Sequence, residues 1–305
     1  MAEKTKTTPQ ENTPQETTSD TAPQSVPLMS WSDLLARTRP ETDIQIRTGD
    51  AETDIIDLWL PEGGGPHPVV IMVHGGCWQK SIADRTLMNY AAEDLRQKGL
   101  AVWNIEYRGV DEPGGGYPGT FLDVAKAADA LLDYAPEYNL RTDRIAGFGH
   151  SAGGHLVTWL SARASLPESS LLFSDNPLPL TAVINSGGLA DLAASAPVTQ
   201  ASCLADIMDT LTGSPSDTRP NVLSDTSTPE LFPVTARQIS INGDSDRIAP
   251  GKLGQSYTQR ALESGTPAEY FEIKHTGHVE LIAPGTDAFE RTVQVLEESF
   301  EGDAE

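Results

Sequence analysis

Gly149-His150-Ser151-Ala152-Gly153 constrains this chain more than any other stretch, because an apolar run, Arg144-Ile-Ala-Gly-Phe148, precedes it and Gly154-His-Leu-Val-Thr-Trp-Leu160 follows it. The first reads as a strand and the second as a helix. A serine between them sits on a turn so tight that the residues two places away on either side must be small. Its hydroxyl is then held clear of the sheet at the N-terminus of the helix. The backbone N–H of Ala152 points at an oxyanion developing beside that hydroxyl. Without those flanks the five residues would be an ordinary glycine-rich turn; with them Ser151 is a candidate nucleophile.

A serine hydroxyl needs a base to become nucleophilic, and the base needs a group that orients it. Downstream, Arg237-Gln-Ile-Ser-Ile-Asn242 reads as a late strand that runs into Gly243-Asp-Ser-Asp-Arg-Ile-Ala-Pro250. A carboxylate on a loop just past a strand end reaches an imidazole above the sheet, which makes Asp246 the candidate acid and Asp244 its nearer competitor. Either aspartate also reads as a turn former. Glu269-Tyr-Phe-Glu-Ile-Lys274 then alternates like an edge strand and leads to His275-Thr-Gly-His278 and a helix from about Asp287 to Phe300. His278, on a loop beside a glycine, is the candidate general base, and His275 lies closer to the strand. Histidine is the side chain that titrates near neutral pH without perturbation.

Upstream, Pro68-Val-Val-Ile-Met-Val73 reads as a buried strand ending in His74-Gly-Gly-Cys-Trp78. Successive glycines let the backbone approach a substrate carbonyl, so the N–H groups of Gly75, Gly76 or Cys77 are candidates to join Ala152 in an oxyanion hole. His74 reads as a pin that hydrogen-bonds neighbouring backbone. His150 and His155 flank the serine with no route to its hydroxyl. Trp78 either walls a substrate pocket or packs in the core.

His74-Gly-Gly-Cys-Trp78, Gly149-His-Ser-Ala-Gly-Gly-His155, Gly243-Asp-Ser-Asp-Arg-Ile-Ala-Pro250 and Gly277-His278 together resemble the α/β-hydrolase superfamily, in its esterase and kynurenine formamidase-like branch, over roughly residues 40 to 300. The resemblance implies oxyanion donors at Gly75, Gly76 and Cys77, a nucleophile at Ser151, an acid at Asp246 and a base at His278. Glu106-Tyr-Arg108, Tyr117-Pro118 and Asp123 also resemble the branch's strand, loop and helix before the serine turn. Two positions depart from the formamidase pattern: Cys77 stands where an aromatic is usual, and Ala249 where valine is usual.

The rest of the chain is consistent with that reading. Strands at Asp54 to Leu60, Val69 to Val73, Ala101 to Glu106 and Ala182 to Ser186 alternate with helices near Arg85 to Lys98 and Thr120 to Asp133. This is the rhythm of a mostly parallel central sheet with helices on both faces, an α/β-hydrolase fold. Residues 1–27, rich in Thr, Pro, Gln and Glu, are expected to be a disordered tail, and 28–305 one domain. The stretch 190–233 is too long for an ordinary connection and is expected to be a small lid, with Trp31 to Arg39 a second contributor. Forty-four acidic residues against 21 basic ones leave a net charge of −23, which disfavours nucleic acid and anionic membrane as partners. No apolar run approaches a membrane span or a secretory signal, so the expected location is cytoplasmic. Cys77 and Cys203 are expected to be reduced thiols. No zinc spacing, phosphate loop or dinucleotide fingerprint is present, so no metal or cofactor is expected. The expected activity is a serine-dependent hydrolysis of carboxylic esters with small acyl groups. Arylformamidase action on an amide, or silent binding of a small molecule on the same fold, are the alternatives.

Overall fold

The computed structural model describes Met1, residues 27–199 and residues 202–301. The tail expected at 1–27 therefore lies almost wholly outside the described residues. In chain order the elements are α1 (Trp31–Leu35), β1 (Ile44–Arg47), β2 (Ile55–Trp59), β3 (His67–Val73), α2 (Asn89–Gln97), β4 (Ala101–Ile105), α3 (Gly119–Asp129), α4 (Leu131–Tyr134), β5 (Leu140–His150), α5 (Ala152–Ala162), β6 (Ala182–Ser186), α6 (Leu192–Thr199), α7 (Met208–Thr212), β7 (Arg237–Gly243), α8 (Gly251–Glu263), β8 (Ala268–Ile273) and α9 (Asp287–Phe300). The strands form an 8-stranded sheet in the order β1-β2-β4-β3-β5-β6-β7-β8. The β1–β2 and β2–β4 pairs are antiparallel, and every pairing from β4 across to β8 is parallel. This is the α/β-hydrolase fold.

The period-2 pattern of the strands decides which helices lie on which face. Along β3, Val69, Ile71 and Val73 pack with Phe121 of α3 and Leu156 and Trp159 of α5. Val70 and Met72, pointing the other way, join Leu95 of α2 and Phe289, Val293 and Leu296 of α9. Both faces of the central strands are thus covered by apolar helix faces, and β3 accordingly reads as a nearly continuous hydrophobic run.

Some boundaries differ from the sequence expectations. The helix expected at Thr120 to Asp133 divides into α3 and α4 around Ala130, and the one expected at Arg85 begins as a single 3-10 turn, Arg85–Met88. The edge strand β1 and the helix α8 were not anticipated: β1 is four residues long and half exposed, and α8 opens on Gly251, a poor helix former.

The stretch 190–233 holds α6, α7 and short 3-10 turns, and it is anchored to the helix behind Ser151. His155 Nε2 reaches Thr226 O at 2.6 Å, Trp159 Nε1 donates to Asp225 O at 2.9 Å, and the Thr158 and Thr228 hydroxyls are 2.9 Å apart. The expectation of reduced thiols is corrected here: Cys77 and Cys203 form a disulfide, with Cα atoms 4.8 Å apart. Residues 126 positions apart show no pairing in sequence, and only the fold brings the stretch onto the β3 loop. Because the bridge closes so long a loop, Cys203→Ser should lower unfolding free energy by about 2–5 kcal/mol. Urea denaturation of the non-reduced chain against the variant measures this, and equal midpoints would show that the bridge constrains nothing.

Candidate active site

The candidate groups all follow the carboxyl ends of parallel strands, where sites in open α/β sheets form. Ser151 stands between β5 and α5 with φ 54° and ψ −119°, a left-handed conformation that non-glycine residues rarely adopt. Its neighbours explain how that turn closes. A Cβ on Gly149 would collide with the Gly153 carbonyl, and one on Gly153 with the carbonyls of Val73 and His74. The Ser151 N–H donates to Ser186 O at 3.0 Å, which ties the turn to β6.

The candidate acid and base come from the loops after β7 and β8. His278 Nδ1 lies 2.7 Å from Asp246 Oδ2, and both side chains are buried. The other Asp246 oxygen accepts the N–H groups of Ile248 at 2.8 Å and Ala249 at 3.0 Å, so the carboxylate is fixed before it meets the imidazole. Asp244 instead faces Ser245 and Lys274, and His275 is exposed. With Nδ1 committed to Asp246, the Nε2 of His278 is the nitrogen left for a substrate-side proton. Among the described residues no hydrogen bond joins Ser151 Oγ to His278; the two share the walls of one cavity. Such bonds commonly tighten only when substrate binds.

His150 holds the base from behind. Its Nε2 donates to the His278 carbonyl at 3.0 Å, and the rings lie 4.4 Å apart. Burial, with the charge of His278 second, pushes the His150 imidazole well below its ordinary value, so it stays neutral beside the base.

The loop after β3 is pinned at both ends by one carboxylate. Glu106 is 1% exposed and meets His74 Nε2 at 2.8 Å, Lys80 Nζ at 2.5 Å and Arg85 Nη1 at 3.5 Å. Burial opposes its charge, but the interactions with His74 and Lys80 outweigh burial and hold it well below the usual carboxylate range. Tyr107 donates to the His74 carbonyl at 3.0 Å and stacks on the His74 ring at 4.2 Å. Between these anchors Gly76 and Cys77 adopt positive φ, 110° and 51°. Among the described residues the N–H groups of Gly76, Cys77 and Ala152 have no hydrogen-bond acceptor within the chain.

A cavity of about 290 Å³ unites these groups: Gly76, Cys77, His150, Ser151 and His278 form its floor, and Trp31, Leu35, Ile82, Leu87, Cys203 and Ile248 contribute to its walls. Gly75 does not line it; its carbonyl is held by His74 Nδ1 at 2.7 Å. Trp78 is corrected as a pocket wall: it is fully buried beneath the loop, with its indole N–H donated to His155 Nδ1 at 3.2 Å. A positive φ at Trp78 turns the side chain into the core, which the sequence could not reveal.

The BD-FAE family model matches residues 56–259, about two thirds of the chain. The chain belongs to the BD-FAE family. Among curated proteins it is similar to a probable isoprenylcysteine alpha-carbonyl methylesterase of Arabidopsis thaliana, 30% identical over 40% of this chain and 25% of the relative. It is also similar to a kynurenine formamidase of Danio rerio, 32% identical over 40% of this chain and 39% of the relative. The matches thus span less than half the length of these relatives. A solved truncated carbohydrate esterase from gut microbiota superposes with a TM-score of 0.70 at 19% identity, covering 85% of this chain and 96% of the other, a likeness of fold.

The stretch matched by the BD-FAE model takes in the β3 loop, Ser151 and Asp246, and ends before His278. Sequence reasoning overlooked Glu106 as an anchor, although the Glu-Tyr-Arg stretch around it was visible. It gave no signal for Ile248, and none for Cys203 beside the serine. Arg108 and Asp123, also visible as a motif, pair through bonds of 2.7 Å and brace the loop that precedes α3.

Burial lowers His155 to about 4, outweighing the bond to Thr226 O, which favours the protonated ring. The folded chain therefore binds fewer protons than the unfolded chain between about pH 6.5 and pH 4, and stability falls as pH is lowered through that window. This ring alone contributes about 3 kcal/mol of the loss when it is complete. His155→Gln keeps an acceptor and a donor without titrating, and should flatten the decline in urea-unfolding free energy between pH 7 and 4.5. A decline as steep as that of the unaltered chain would contradict this account.

Proposed function

We propose that the chain is a serine hydrolase of carboxylic esters with small acyl groups. The observation that carries this reading is the buried 2.7 Å Asp246–His278 bond opening onto the cavity that holds Ser151. Ser151 Oγ attacks the ester carbonyl carbon while His278 Nε2 takes its proton, and Asp246 keeps the imidazole in the required tautomer. The N–H groups of Ala152, Gly76 and Cys77 donate to the oxyanion of the tetrahedral intermediate. Its collapse expels the alcohol, which receives the proton from His278 and leaves an acyl-serine. Water then attacks the acyl carbon, giving its proton to the same histidine, and release of the acid restores Ser151. An oxidising compartment, rather than the cytoplasm, is where the Cys77–Cys203 bond persists.

Hydrolysis of an aryl formamide is the second reading, favoured by the similarity to the kynurenine formamidase. The chemistry is the same, with an amine as leaving group in place of an alcohol. The stretch 190–233 acts in both as a lid bearing on specificity, through Cys203 at the cavity wall.

A fluorophosphonate probe should label Ser151, and Ser151→Ala should abolish both labelling and ester turnover while leaving the fold intact. An unlabelled chain would favour a small-molecule-binding protein. Asp246→Asn should lower kcat on the order of 10²–10⁴ by favouring the wrong tautomer, and Asp244→Asn far less. The reverse ranking would remove Asp246 from the mechanism. Turnover of N-formylkynurenine above every p-nitrophenyl ester would move the assignment to the formamidase.

A further inference from the structure

We infer that the strap Leu28–Arg37, which precedes β1 in the chain, is a wall of the acyl site, and that Trp31 sets the length of acyl group accepted. The inference rests on the ester-hydrolase reading. Trp31 and Leu35 line the cavity that holds Ser151 and His278. The Trp31 ring stands edge-on to both histidines of the site, with centroids 6.1 Å from His150 and 6.3 Å from His278. An aromatic edge so close to the base closes that side of the cavity to substrate.

The strap is fastened rather than draped. Leu34 is fully buried and shares a core cluster with Leu95 of α2, Leu281 of the turn Glu280–Ile282 and Phe289 of α9. Ser30 and Asp33 form a reciprocal capping box at the start of α1. Arg37 Nη1 donates to Pro284 O at 3.0 Å, and Tyr90 donates to Arg37 O at 3.4 Å. Glu280, itself buried, accepts the N–H of Met29 with one oxygen and that of Gly277 with the other. One carboxylate therefore holds both the strap and the residue before His278, so the wall and the base are set in one frame. The strap also precedes residue 56, where the family match begins.

Ile82 and Leu87 also line the cavity. In the inferred arrangement an acyl group bonded to Ser151 meets this apolar pair and the Trp31–Leu35 pair in the same cavity. The volume of about 290 Å³ falls just below the range of about 300–1,000 Å³ for small-molecule sites. Leu35 and Ile82 are each 57% exposed, which puts them at the mouth. Removing the indole enlarges the cavity on the strap side, which would admit a longer aliphatic chain.

The test compares kcat/KM for p-nitrophenyl acetate, butyrate and octanoate in the unaltered chain, Trp31→Ala, Trp31→Phe and Leu35→Ala. The octanoate-to-acetate ratio should rise on the order of tenfold in Trp31→Ala, and by smaller factors in Trp31→Phe and in Leu35→Ala, an exposed position whose loss leaves folding intact. A residue with only a structural role would lower all three esters in proportion. Ratios within twofold of the unaltered chain in every variant would overturn the inference while ester hydrolysis stood. No turnover of any ester by the unaltered chain would overturn both.

Discussion

The left-handed backbone at Ser151 persists only because β5 and α5 meet almost without separation. Such a residue stores about 1–3 kcal/mol of strain, which its surroundings must offset. They do so through the Ser151 N–H bond to β6 and through α5 itself, whose Leu156, Val157 and Trp159 are fully buried. The same close approach, made possible by Gly149 and Gly153, sets the first turn of α5 against the end of β3. That is where the loop of Gly76 and Cys77 departs. The strained serine, the free N–H of Ala152 and the donors of the β3 loop are thus consequences of one packing constraint.

A loop that must present bare N–H groups cannot be held by bonds to those groups. Here it is held at its ends instead, by Glu106 through His74 on one side and Lys80 and Arg85 on the other. A buried lone carboxylate is costly, and removal of its partners would leave an uncompensated charge. The candidate base is treated similarly: Asp246 is fixed by backbone N–H groups, and His278 by His150 at its carbonyl and Glu280 through its neighbour. Pre-set dipoles and charges of this kind suit a site in which charge develops on a carbonyl oxygen.

The walls follow a different logic from the floor. The floor comes from loops at strand ends, whose positions the sheet dictates. The walls come from α1, from the segment around Ile82 and Leu87, and from Cys203, which belong to parts of the chain far apart in sequence and are joined by the disulfide and by Leu34 and Glu280.

Most of the sheet and the neighbourhood of Ser151 were legible in the amino-acid sequence, because they depend on local rules. Buried runs such as Val69 to Val73 alternate between two covered faces, and glycines two residues either side of a serine mark a turn that other residues cannot enter. The strand and helix order that follows defines an α/β-hydrolase fold, and Asp246 and His278 stood out because each follows a strand. What the tertiary structure alone decided was non-local. Asp244 competed with Asp246 on the same loop, and the approach of His278 from the next loop pairs Asp246 and not Asp244. Trp78 was ambiguous until the backbone turned it into the core, and Cys203 meets Cys77 in a fold where the 190–233 stretch docks on α5. Local sterics and periodicity are written into neighbouring residues, whereas which distant side chains meet across a cavity depends on how whole elements pack.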